Sequence, residues 1–80
     1  MKKTIYWLAS NGVTQYYLDR DDAIKSFSFC RQCGLYVALY SLNTEFNDEM
    51  LELLLNQALN HCQIPDFDKA ELLTKHEPIE

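Results

Sequence analysis

The tightest constraint on this chain is the dipeptide Asn11-Gly12, set between two runs of strand-forming residues, TIYWLAS at 4–10 and VTQYYL at 13–18. Asparagine and glycine tolerate the positive φ angles of a two-residue type I′ turn, so the pair predicts a β-hairpin. The first run is apolar at nearly every position, the pattern of a strand covered on both faces.

After the hairpin the period changes. In LDRDDAIKSFSFCRQCG, Asp19 is placed to cap a helix, Asp21 and Asp22 suit the positive end of its dipole, and Ala23, Ile24, Phe27 and Cys30 recur on one helical face. Gly34 follows where a left-handed C-terminal cap belongs. LYVALYSL, at 35–42, is a second near-continuous apolar strand. Beyond it, NTEFNDEMLELLLNQALNHC offers Thr44 or Asn47 as cap and a stripe of Leu51, Leu54, Leu55, Ala58 and Cys62, which predicts a helix ended by Pro65. DFDKAELLTKH has the composition of a short third helix capped by Asp66, and 73–80 are expected to fray as a tail.

The order strand, strand, helix, strand, helix describes an α+β single domain over 1–80. A right-handed crossover makes the second and third strands parallel, and the least strained place for the third is beside the first. The expected fold is therefore a three-stranded antiparallel sheet of order 2-1-3 (ββαβα), with both helices on one face and the other face open. Tyr36 and Tyr40 share a face by period two, and tyrosines lining an open face would supply contact area for a partner or for a second copy in a homodimer.

Charge narrows the choice of partner. Seven basic residues against twelve acidic give a net charge of −5, and Lys2, Lys3, Arg20, Lys25, Arg31, Lys69 and Lys75 are scattered along the chain. Direct nucleic-acid binding, which needs clustered cations, is disfavoured; a larger basic protein, itself a nucleic-acid binder among other options, is favoured. No apolar run reaches the roughly 18 residues of a membrane helix. The apolar part of MKKTIYWLASNGV is shorter than the core of about 7–15 residues in a secretion signal. A cytoplasmic location is expected, and three cysteines, an odd number, agree with a reducing compartment.

The spacing CRQC at Cys30 and Cys33 raises metal or thiol chemistry. A tetrahedral zinc site needs two more ligands, and the candidates are the adjacent His61-Cys62 and the distant His76; helix neighbours project roughly 100° apart and cannot easily share an ion. A redox pair at the C-terminal end of a helix has the dipole opposing its thiolate. The preferred reading makes Cys30 and Cys62 small core residues and places Cys33 near the cap, with a zinc- or thiol-based module on Cys30 and Cys33 as the alternative. Neither His61 nor His76 stands in a catalytic motif, and there is no glycine-rich phosphate loop, so neither an enzyme nor a cofactor is expected.

Acids cluster at Asp19, Asp21 and Asp22, at Glu45, Asp48, Glu49 and Glu52, and at Asp66, Asp68 and Glu71. Predicted helix starts explain all three groups locally. The second group would also steer and pair with Lys or Arg of a partner. Tyr36, Tyr40, Glu45, Asp48, Glu49 and Glu52 are thus the candidate partner-binding residues. In size, charge and element order the chain resembles the phage- and plasmid-encoded inhibitors of host defence, anti-CRISPR proteins among them, and the small immunity proteins. That resemblance implies an inhibitor acting by occupation and carries no site residues across.

Overall fold

A computed structural model describes residues 2–78 of the chain. Asn11 at φ 51° and Gly12 at φ 81° form the turn that joins β1 (Lys2–Ser10) to β2 (Val13–Tyr17). A turn of two residues fixes the register, setting Ser10 opposite Val13 and Trp7 opposite Tyr16. Asp19 then starts α1 (Arg20–Gln32), its carboxylate accepting from the Asp21 N–H at 2.7 Å. The helix ends in a Schellman motif: Leu35 N–H donates to Cys30 O (3.1 Å) and Gly34 N–H to Arg31 O (3.0 Å), with Gly34 at φ +74°. β3 (Val37–Glu45) runs antiparallel along β1, from Ala38 opposite Ala9 to Glu45 opposite Lys2.

Of the two candidate caps for the next helix, Asn47 serves, accepting from the Met50 N–H at 2.8 Å to open α2 (Asp48–Leu55). Thr44 is instead buried, and its hydroxyl donates to Pro65 O at 2.9 Å. The apolar stripe predicts a helix through Cys62, but α2 stops at Leu55. A second Schellman motif closes it, with Gln57 N–H on Leu54 O (3.0 Å), Ala58 N–H on Leu53 O (2.7 Å) and Gln57 at φ +56°. Cys62 consequently lies exposed in a 3₁₀ turn, His61–Gln63, and not on the inner face of a helix.

The third predicted helix is also replaced. Only a 3₁₀ turn, Phe67–Lys69, forms there; Glu71–His76 become β4, antiparallel to β3. Residues 73–76 of the expected tail belong to this strand, and 79–80 lie outside the described residues. The cause is nonlocal. Without β4, one edge of β3 would leave its backbone groups unpaired, and a short run of helix formers cannot outweigh that ladder. The sheet therefore has four strands, in the order β2-β1-β3-β4, with every neighbouring pair antiparallel. A register shift at Leu39 and Tyr40 leaves Leu73 bulged, with no residue opposite it.

Both faces of the sheet are covered, in contrast to the expected single layer of helices. Alternate residues of β1 enter different clusters: Leu8 joins Ala23 and Phe27 of α1 with Val37 and Leu39, whereas Ile5 and Trp7 join Leu54 of α2 with Leu59, Ile64 and Leu42. So α1 packs on one face, and α2 with the segment after it packs on the other. Two helices on a single face would leave either Leu8 or the pair Ile5 and Trp7 in water, at about 1.5–3 kcal/mol for each large side chain. No helix among the described residues is long and apolar enough to cross a membrane.

Candidate functional site

The register of the sheet builds an aromatic cleft on the α2 face. Trp7 stands opposite Tyr16 of β2 on one side and opposite Tyr40 of β3 on the other. Its ring stacks on Tyr40 (centroids 5.6 Å apart, planes at 15°) and on Phe67 (5.1 Å, 19°), and tilts at 47° to Tyr16 at 6.1 Å. These rings, with Thr14 and Asp68, line a cleft of about 410 Å³. Trp7 and Tyr16 are only 4% and 5% exposed.

Tyr16 is held from its backbone. The Gln57 side chain accepts from the Tyr16 N–H at 2.9 Å and donates to the Tyr16 carbonyl at 2.8 Å, so one amide takes the place of a neighbouring strand residue. The left-handed conformation of Gln57 aims that amide at β2, which accounts for a non-glycine residue in a position that favours glycine. Burial pushes the Tyr16 phenol above the ordinary value of 10.0, and the charge of the nearby Cys62 thiolate raises it further. Neither the Trp7 indole N–H nor the Tyr16 hydroxyl has a hydrogen-bond partner among the described residues. No buried side-chain polar atom among them is unsatisfied, so both groups reach solvent.

Neither family models, nor known proteins, nor solved structures match this chain.

The six residues singled out in the sequence divide into three places. Tyr40 is half-buried in the cleft wall instead of standing on an open sheet face. Tyr36, 40% exposed, precedes β3 at the hairpin end, where its carbonyl accepts from the Ser10 hydroxyl. Val13 and Leu35, both exposed, border a second recess at that end. Glu45 closes β3 at the opposite end, and Asp48, Glu49 and Glu52 are exposed on the first turns of α2 beyond it. At about 3.4 Å per residue the strand holds Tyr36 and Glu45 roughly 30 Å apart, so they do not form one patch. Asp48, Glu49 and Glu52 make no ion pair among the described residues.

The thiols are dispersed as well. Cys30 is half-buried against the α1-side cluster, Cys33 is exposed at the C-cap, and Cys62 acts on Tyr16, whose ring belongs to the cluster on the other face. The His61 side chain lies outside the described residues, and His76 is half-buried at the end of β4. Among the described residues no three potential ligands converge on one point.

Sequence reasoning missed Trp7, Tyr16, Phe67 and Asp68 as site residues. Half of the cleft was readable, because the turn that pairs Ser10 with Val13 also pairs Trp7 with Tyr16. Phe67 and Asp68 reach the cleft only through the path of the chain after α2, and no local pattern marks it.

Proposed function

We propose that the protein is a small binding inhibitor that docks on a larger basic protein and blocks a nucleic-acid-binding or cofactor surface by occupying it, as antagonists of host defence encoded by phages and mobile elements do. The observation that carries this reading is the set of exposed carboxylates Asp48, Glu49 and Glu52, unpaired among the described residues, on a chain of net charge −5. Carboxylates that no internal cation neutralises raise the rate of encounter with a cationic surface and pair with it on docking. Tyr36 and the cleft wall at Tyr40 supply contact area at a distance from the acids, so steering and burial fall to different parts of the molecule.

The test is capture from a lysate of the native host at rising salt, with the wild-type chain and the D48K/E49K/E52K variant compared. The wild type should hold a basic protein, release it as salt rises and abolish that protein's binding to its nucleic acid or cofactor; the variant should fail to hold it. Capture indifferent to both salt and charge reversal would refute the reading.

A further inference from the structure

Resting on that reading, we infer that the Trp7 cleft is an arginine-binding pocket, which takes the side chain of one arginine projecting from the basic partner. Four observations converge. The cleft, at about 410 Å³, falls within the roughly 300–1,000 Å³ common to ligand sites, enough for one long side chain and the peptide units beside it. Its wall includes Tyr40, half-buried and so with ring surface left to cover. A guanidinium is flat and weakly hydrated, and it stacks on such surfaces by cation–π attraction.

The third observation is charge. The lining carries one carboxylate, Asp68, and no basic side chain; Asp68 makes no ion pair among the described residues. A carboxylate and a guanidinium match in a two-pronged hydrogen bond that an ammonium cannot reproduce. The same charge opposes a nucleotide, whose phosphates would meet Asp68 with no cation in the lining to offset it. The fourth is the Trp7 N–H, which has no partner among the described residues although its ring lines the cleft and is more than nine-tenths buried. The N–H can only donate, and a backbone carbonyl next to the incoming arginine supplies the acceptor.

Trp7 is the one tryptophan of the chain, so its emission reports on the cleft alone. The probe is the capped tripeptide Gly-Arg-Gly, titrated into the full chain at millimolar concentration alongside its isosteric citrulline counterpart, its lysine counterpart and adenosine. The arginine peptide should change Trp7 emission saturably, and the neutral citrulline peptide should bind about tenfold more weakly, for want of the charge-assisted pair. Asp68→Asn should weaken the arginine peptide by a similar factor, and Asp22→Asn, on α1 across the sheet, should leave it unchanged. Circular dichroism of both exposed-residue variants checks that the fold is intact.

Equal binding of arginine and citrulline peptides, adenosine binding more tightly than either, no saturable change, or no effect of Asp68→Asn would each overturn the assignment. If the peptide fails while charge reversal on α2 still releases the basic partner, the pocket assignment alone falls. If the peptide binds and charge reversal changes nothing, the reading of the α2 acids falls and the pocket stands.

Discussion

The residue that holds β2 against α2 is Gln57, and its replacement separates two opposing contributions. Gln57→Ala removes both hydrogen bonds to the Tyr16 backbone, worth about 0.5–1.5 kcal/mol each, and keeps a Cβ in the left-handed region. Because Gln57 is itself exposed, water replaces part of that loss, and a net destabilisation of about 1–2 kcal/mol is expected. Gln57→Gly loses the same bonds but relieves the positive φ, a gain of about 1 kcal/mol over alanine. Glycine should therefore cost about 0–1 kcal/mol and lie between wild type and alanine. The assay is urea or thermal unfolding followed by Trp7 emission; in a domain of this size 1 kcal/mol moves Tm by about 4–8 °C. An alanine variant as stable as wild type would refute the clamp, and a glycine variant less stable than alanine would refute the strain.

Three further outcomes are expected. Gly34→Ala should lose about 1 kcal/mol by denaturant titration, because a Cβ there meets nothing within 4 Å and the cost is that of φ +74° alone. Thr44→Val keeps the shape of a buried side chain but leaves Pro65 O without its donor, for a loss of about 1 kcal/mol; an unchanged unfolding midpoint would show that water replaces the hydroxyl. Tyr16 ionises above the ordinary 10.0 when folded, so the folded chain binds more protons than the unfolded one over that interval. Stability should then fall as pH rises above about 10, and Tyr16→Phe should flatten the fall in unfolding measured across that range.

The parts of the fold that the sequence discloses are those governed by neighbours along the chain. Asn11-Gly12, the Asp19 cap and Gly34 each act within a few residues, and each is where local chemistry puts it. The doubly apolar pattern of TIYWLAS was also visible, and taken at full strength it requires cover on both faces of β1, which both helices on one face cannot provide. β4 is different. ELLTKH has adjacent leucines and good helix formers, and it is extended because β3 offers it an edge far away in sequence. The early end of α2 has the same character: glutamine carries no stop signal, and Gln57 holds its left-handed position with its side chain bound to the Tyr16 backbone, far away in sequence. The acids on α2 were legible as candidates because charge needs no folding to be counted. The cleft was legible only on its hairpin side.

The bulge at Leu73 has a consequence for how this molecule meets others. A regular margin would invite an extended chain to continue the ladder, and Leu72 and Leu73, 49% and 44% exposed, would make the invitation sticky. The irregularity breaks the spacing of outward amides and carbonyls near the middle of β4, so a visiting strand finds matching groups over only a few residues before losing step. On the other margin the Tyr16 amide and carbonyl are already engaged by Gln57. Both margins of the sheet are thereby poor templates for an added strand.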